Sequence, residues 1–396
     1  MEVKLNEITE RITEKNKSLE TKLPLTISAK YGLIDQISFF NKIVASKSLE
    51  NYYILRKGDF AFNKSYSNGY PYGTIKKLNK YDKGAVSTLY ICFKPKNISS
   101  NFLEIYFETN KWYKEIYKIA VEGARNHGLL NITVGDFFNT THFIPKSIKE
   151  QNKISSLFLY LNKIIKLLTD KLNKNIQFKK YLMQQIFTQK LQFKKENWKK
   201  ITLGDIGVFY RGHSYNKENV ANTGLIVLRS NNIKNNSLIF DNSELRFVNN
   251  ICKDEIKLQK NDIIICTNNG SKKLVGKSAY YSGKYNVDIT VGAFCSIFRS
   301  KNPLAKYLLQ TDKYRRYVHI IIAGSNINNL KNSEIEKFEF EIPQSFEEQE
   351  KIANFLSAVD KKIDLIQSQI QKMEEFKKGL LQQMFIYLRV LENSSY

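Results

Sequence analysis

Cysteine and histidine are scarce in this chain, four of each among 396 residues. Cys92, Cys252, Cys266 and Cys295 lie in apolar runs with no C-x-x-C pair, which describes reduced core thiols and not a disulfide frame or a zinc site. His127, His142, His213 and His319 are far apart and carry no metal-ligand spacing, so each reads as a structural or surface histidine. No G-x-G-x-x-G or G-x-x-x-x-G-K-[ST] run signals a phosphate cradle, and no H-E-x-x-H run signals a zinc protease. NPPF-like and DPPY-like methyl-transfer loops are also missing. Asp241, Glu255 and Lys257 can be assembled into a nuclease-like set, but an E-x-K with an acid upstream arises readily by chance in a Lys-rich chain. No window approaches the ~18 apolar residues of a membrane span; VHIIIAG, Val318 to Gly324, is only strand-sized. The first residues, MEVKLNEITERITEKNK, are charged throughout and have no apolar core of a secretion signal, so a cytoplasmic location with no membrane partner is expected.

Acid is scarce relative to base. Against 62 Lys and Arg stand 38 Asp and Glu, a formal net charge of +24. That excess points to a polyanionic partner, nucleic acid first; an anionic membrane surface, or a composition merely rich in Lys and Asn, is the plainer alternative. The length calls for two or more domains, and 42% hydrophobic residues suffice to bury them.

What the chain does have is itself, twice. IPKSIKEQNKISSLFLYLNKII from Ile144 and IPQSFEEQEKIANFLSAVDKKI from Ile342 open two stretches of 44 residues that share 18 identities at an offset of 198. The same offset superposes VKLNEIT, from Val3, on ITLGDIG, from Ile201, so the whole chain reads as two tandem units. Each repeated stretch begins with a proline and an S-x-x-E capping box, Ser147 with Glu150 and Ser345 with Glu348, which predicts a long helix. Ile154, Phe158, Leu161, Ile165, Leu168 and Leu172 step by four and three, and so do Ile352, Leu356, Val359, Ile363, Ile366 and Ile370. Two such heptad seams in one chain can pair with each other. At ~1.5 Å per residue each rod would be roughly 65 Å long, and the alternative of ordinary core helices fits poorly with a mean of ~11 residues.

Between the rods lie runs such as YYILRKGDFAFN, STLYICFK, NDIIICT and AFCSIF with NG and GK turns, alongside the helical NFLEIYFETNKWYKEI. The fold class is therefore α+β: two β-rich globular units separated by two long helices that pair as an antiparallel coiled coil, with a pseudo-twofold internal repeat. The charge is uneven. Residues 1–145 carry +7, 146–200 carry +11, 201–340 carry +8 and 341–396 carry −2.

IPKSIKEQNKI and IPQSFEEQEKIANFL, the helix ends FKKYLMQQIF and FKKGLLQQMF, and WKKITLGDIGVFYRG at the second lobe resemble the specificity subunit of type I restriction-modification enzymes; LRKGDFAFNKSYSNGYPYGTI is similar to a recognition domain of that family. The resemblance implies target recognition domains at 1–143 and 192–341 and spacer helices at 144–191 and 342–396. Each domain would read one half of a split double-stranded DNA target, with the helices as the ruler between halves. It also implies two methyltransferase subunits docked on this chain and restriction subunits in the full complex. S-adenosylmethionine, ATP and Mg would belong to those partners, with no cofactor and no catalysis on this chain. One departure stands out: the lead-in Leu191 to Lys200 has no counterpart before Val3, so the first lobe is expected to start abruptly at its first strand.

Base contact needs side chains that donate and accept in a groove, while lysines hold phosphates. In the first lobe Lys64, Ser65, Tyr66, Asn68, Tyr70 and Tyr72 sit on a Gly-bent loop, and Arg125 and Asn126 precede the first rod. In the second, Thr267, Asn268, Asn269, Ser271 and Lys272 occupy the parallel loop, Arg229 and Asn231 form another polar cluster, and Ser325 and Asn326 precede the second rod. For each, a turn-forming role is the competing reading. A self-sufficient nuclease or modification enzyme, and a non-specific nucleic-acid-binding coiled-coil tether, stay open as other functions at this point.

Overall fold

The computed structural model describes residues 1–42, 45–46, 48–67, 69–120, 129–194, 197–283, 285, 287–324 and 328–393, apart from the side chains of 385–393. The chain forms two compact units, Met1–Thr169 with Ser368–Tyr396, and Asp170–Gln367. This division cuts across the two long helices, Ile148–Phe187 and Phe346–Asn393, so that each unit holds one lobe and a part of both.

In the first unit an antiparallel sheet runs in the order Thr9–Arg11, Ile91–Pro95, Phe60–Asn63, Thr74–Lys77. Its two central strands, Ile91–Pro95 and Phe60–Asn63, are buried on both faces over their apolar residues, which explains why they read as apolar runs with only a weak alternation. Phe60 and Phe62 point to one cluster, with Phe102, Tyr106, Phe107, Trp112 and Phe137 of the helical segments. Phe60 stacks on Phe93 at 5.3 Å and Phe62 on Phe137 at 4.9 Å. Ala61 and Cys92 point the other way, into Leu25, Ile27, Leu55 and Val86.

The second unit repeats that strand order with Gly207–Arg211, Cys295–Ser300, Ile263–Cys266 and Ser278–Tyr280. Ile263, Ile265 and Phe298 enter a cluster with Tyr307, Tyr314 and Val318; Ile264, Cys266 and Ile297 enter one with Ile226, Leu228 and Val291. A two-stranded edge also recurs in register. Val3 faces His142 in the first unit, and Ile201 faces Phe340 in the second, each 198 residues on. The edge strand of the first lobe is Glu2–Lys4 and that of the second is Trp198–Thr202. All four cysteines are buried and free.

Immediately after each edge strand a long helix starts, and the seam residues nearest its start serve the lobe. Ile154, Phe158 and Leu161 belong to the first lobe's core, against which Met373, Leu380, Leu381 and Met384 of the second helix pack. In the second unit Ile352 and Leu356 share a core with Leu182, Met183 and Ile186 of the first helix, and Lys179 Nζ lies 2.6 Å from Asp360 Oδ1. Toward the helix middles the seam is shallower: Ile165, Leu168, Leu172, Val359, Ile363 and Ile370 are half-buried, and Ile366 is buried.

Ser345 Oγ accepts from Glu348 N at 3.2 Å, but the Glu348 carboxylate accepts from Lys194 N at 3.1 Å, so it serves the preceding chain segment. The side chain that joins lobe to helix is the next one, a glutamine. Gln151 Nε2 donates to Pro145 O at 2.9 Å while its Oε1 accepts from Ser99 N at 2.9 Å. Gln349 Nε2 donates to Pro343 O at 2.7 Å while its Oε1 accepts from Asn302 Nδ2 at 2.9 Å. Both are buried, so each amide satisfies polar groups that water cannot reach. Replacing Gln349 by alanine is expected to cost the second unit about 2 kcal/mol in chemical denaturation, the scale of a buried polar group left unpaired, and Gln151→Ala the same in the first.

His142 is 2% exposed, with Nδ1 at 2.9 Å from Tyr106 Oη and Nε2 at 2.8 Å from Thr140 Oγ1. Burial holds its imidazole down at about 4. In the unfolded chain the group titrates near about 6.5, so unfolding takes up a proton between those values. The stability contributed by the neutral ring is present above pH ~6.5 and is lost as pH falls toward 4, roughly 3 kcal/mol by linkage. Denaturation midpoints followed against pH should show this loss in the natural chain and a flatter profile in His142→Gln.

Candidate nucleic-acid interface

In the first unit the loop 64–73 joins the strands Phe60–Asn63 and Thr74–Lys77. Gly73 ends it with φ +79°, where a Cβ would collide with Asn63 O, so only glycine fits this bend. The loop is pinned to the segment after residue 128: Lys64 O accepts from Leu130 N at 3.0 Å, and Ser65 bridges Leu129. Tyr66 is 61% exposed. Tyr70 N donates to Ser67 O at 2.8 Å. Tyr72 packs edge-on against Tyr113 at 5.3 Å and Tyr117 at 6.2 Å. Those two tyrosines are one turn apart on the helix Tyr113–Ile119, beside the exposed Lys114 and Lys118.

The second unit builds the same closure with different side chains. Its loop follows the strand Ile263–Cys266 and leads to Ser278–Tyr280. Thr267 O accepts from Leu330 N at 2.8 Å, and Asn268 bridges Asn329. Asn269 Nδ2 donates to Ser230 Oγ at 3.0 Å, and Asn328 Nδ2 donates to Gly270 O at 3.0 Å. Three polar stretches separated in sequence thus meet in one place. Ser271 and Lys272 are exposed on the loop. Arg315 holds its far side, donating to Lys273 O at 2.9 Å and Val275 O at 3.0 Å. Gly276, φ +76°, lets the chain pass Val318, whose side chain a Cβ would meet. Lys277 donates to Ile233 O at 2.9 Å, and burial holds its ammonium below the usual lysine value.

Four expected contact residues are engaged by neighbouring segments. Thr267 is buried, because its backbone is used on both sides, N to Phe294 O and O from Leu330 N. The Lys64 amine donates to Ile132 O at 3.2 Å and so holds the loop to its neighbour. Arg229 donates to Glu244 O at 3.2 Å, and Asn231 Nδ2 donates to the Glu244 carboxylate. Arg229 Nε and His213 Nε2 are buried without a hydrogen-bond partner among the described residues. Asn68, Arg125, Asn126, Ser325 and Asn326 lie outside the described residues.

The nuclease-like set is spoken for separately. Lys257 lies 2.9 Å from both Asp254 and Asp288, and Asp241 Oδ1 accepts from Ser243 N and Oγ at 3.0 and 2.8 Å. Among the described residues no group of three or more His, Cys, Asp or Glu could hold a metal ion, and no helix is long and apolar enough to cross a membrane.

Arg315 and the Tyr113/Tyr117 pair escaped the sequence reading. VHIIIAG, strand-sized by length, is the end of the helix Asp312–Ala323, and the step of four from Tyr314 to Val318 to Ile322 was the available signal.

These features define a protein of two α+β units, each pairing a double-faced sheet with part of two long helices and displaying one polar loop. Residues 195–375 match the family model for the type I restriction modification DNA specificity domain. The chain is 31% identical over 197 residues to the StySPI type I restriction enzyme specificity subunit of Salmonella potsdam, covering 47% of this chain and 41% of that one. It is 29% identical over 198 residues to the EcoKI specificity subunit of Escherichia coli strain K12, covering 47% and 42%. The matched stretch therefore spans less than half the length of either relative. A crystal structure of the type I restriction-modification S subunit from M. genitalium has the same fold, with a TM-score of 0.59 at 15% identity over 96% of this chain and 94% of that one. Just under half of this chain, residues 195–375, is thus similar to the DNA specificity domain of type I restriction-modification enzymes.

Arg315→Gln removes the two bonds that brace the second loop. Hydrogen bonds from charged donors are worth about 1.5–3 kcal/mol each, so amide exchange at Leu274 and Gly276 is expected to accelerate at least about tenfold, while the sheet amides of Ile263 to Ile265 keep their protection.

Proposed function

We propose that this chain is the non-catalytic DNA-recognition subunit of a type I restriction-modification complex, each lobe reading one half of a bipartite double-stranded target. The observation that carries this reading is the repeated closure. In both lobes the loop after the third strand of the same sheet order is hydrogen-bonded to the segment that precedes the last edge strand, Lys64 O to Leu130 N and Thr267 O to Leu330 N. Like frames bearing unlike loops suit two different half-sites. Exposed Tyr66 and half-buried Tyr70 are the candidates in the first lobe, and exposed Ser271 and Lys272 with half-buried Asn268 and Asn269 in the second; the net charge of +24 supplies the attraction to phosphates.

The two long helices act on this reading as an antiparallel coiled coil that sets the non-specific spacer. Its support is the order of contacts within each unit, the start of the first helix with the end of the second, and the end of the first with the start of the second. Leu157 and Leu167 remain exposed on the first helix, as surface on which two methyltransferase subunits, and through them restriction subunits, would dock. S-adenosylmethionine, ATP and Mg belong to those partners, which carry out adenine N6 methylation or cleavage.

Replacing Asn268 by alanine is expected to relax or weaken recognition of one half-site only, by about 1–3 kcal/mol for a base-contacting amide. Lys272→Ala should weaken all duplexes alike and lower the salt slope of binding by about 1. Mapping N6-methyladenine in cells that express the chain with its methyltransferase, before and after exchange of one lobe, decides the matter. A motif that does not change half by half refutes the modular reading.

A further inference from the structure

The base of the second unit's loop holds two cysteines that recognition does not use. Cys266 ends the strand Ile263–Cys266 and Cys295 begins Cys295–Ser300, and they face each other in antiparallel register. Their backbone hydrogen bonds all point away from one another. Cys266 N donates to Lys277 O at 2.9 Å and its O accepts from Gly276 N at 2.7 Å; Cys295 N donates to Gly292 O at 2.8 Å and its O accepts from Gly212 N at 3.1 Å. They are thus a non-hydrogen-bonded pair, the kind whose Cα atoms come within about 4.5 Å and whose side chains lie closest. A disulfide spans Cα separations of about 4.4–6.8 Å. Both side chains also point to the same face, into one apolar cluster.

The thiols interact already. The Cys266 thiol is held below its ordinary value by the neighbouring Cys295 sulfur and the Lys277 ammonium, while the Cys266 sulfur and burial push the Cys295 thiol up. Facing thiols of which one is lowered and the other raised suit a sequence in which the first sulfur attacks and the second resolves. Both cysteines are buried, yet Phe294, next in the chain to Cys295, is 66% exposed.

We propose that Cys266 and Cys295 form an oxidation site, at which a peroxide-class oxidant produces a cross-strand disulfide that resets the loop 267–275. The Cys266 thiolate attacks a peroxide oxygen; the O–O bond breaks, Cys266 becomes a sulfenic acid, and the departing hydroxide takes a proton to leave as water. The Cys295 sulfur then attacks the Cys266 sulfur, the S–S bond forms, the S–O bond breaks, and the hydroxyl leaves as a second water with the Cys295 proton. Two thiols are oxidised by two electrons and one peroxide is reduced. The loop must respond, because Cys266 Sγ gives up its 3.5 Å contact with Asn268 O, and because Thr267 N and Asn268 N both donate to Phe294 O, between the two cysteines. Disulfides of reducing compartments are mostly transient and redox-sensing, and small thiols would reverse this one.

Any effect on DNA rests on the recognition reading above, but the site itself is tested on the protein alone. The full chain is treated with hydrogen peroxide, its free thiols are alkylated, and the digest is read without reductant by mass spectrometry, with amide exchange measured over 267–275. A peptide pair linked through Cys266 and Cys295 is expected, lost in Cys295→Ala and reversed by dithiothreitol, together with a severalfold change of exchange in the loop. Cys266→Ser is the second variant, and circular dichroism verifies that each variant is folded. An oxidised chain whose four thiols all stay alkylatable after denaturation overturns the proposal, and so does a linked chain whose loop exchange is unchanged.

Discussion

The junction of lobe and helix depends on one buried amide. A glutamine supplies a donor and an acceptor from a single planar group, and here the donor takes a proline carbonyl while the acceptor takes a group from the loop before a helical segment, Ser99 N or Asn302 Nδ2. A glutamate in its place would bury a charge and lose the donor, and an apolar residue would orphan the proline carbonyl; both are costly where water is excluded. With the amide in place, the strand, the proline turn and the first helical turn have fixed directions. Only then do Phe158 in one unit and Leu356 in the other reach the lobe cores they fill.

From that junction the positions of the polar loops follow. The edge strand that ends in the proline is paired with the first strand of its lobe, and the segment just before it closes on the loop after the sheet's third strand. Between the loop-closing residue and the edge strand lies one short helix in each unit, Val134–Phe138 and Asn332–Glu336, which ties the loop to the edge pair and the helix start. A loop held in this way loses little conformational freedom on meeting a ligand, and for that reason pre-organised loops bind well.

The repeat was legible because a 198-residue offset preserves both the helix starts and the edge-strand register, and because helix periodicity survives in long segments. The sheets were legible as apolar runs, but their double burial was not, since Phe60 and Ala61 serve opposite faces and both are apolar. Polar side chains were the hardest to place. Thr267, Lys64 and Arg229 look like surface ligands by type, yet each spends its polar groups on the backbone of a neighbouring segment, a long-range fact that local composition does not contain. The glutamines were visible inside the repeated EQ, but the capping-box rule drew the eye to the glutamate, whose partner in the second unit turned out to be Lys194 N.

The two loops share a frame and differ in chemistry, and on the recognition reading that difference has content. The first lobe presents tyrosines, with Tyr66 outward and Tyr72 backed by Tyr113 and Tyr117. A phenol offers a flat apolar face and one hydroxyl, so it selects by shape, stacking or contact with a methyl group more than by paired hydrogen bonds. In the second, Asn269 is held at both ends of its amide by Ser230 Oγ and Ser271 N, and Asn328 donates to Gly270 O, so Asn268 is the carboxamide offered for reading. A carboxamide pairs a donor with an acceptor at fixed spacing, as an adenine edge in the major groove requires. The two halves of the target would then be read by different physical means, although the strand order that carries the readers is the same.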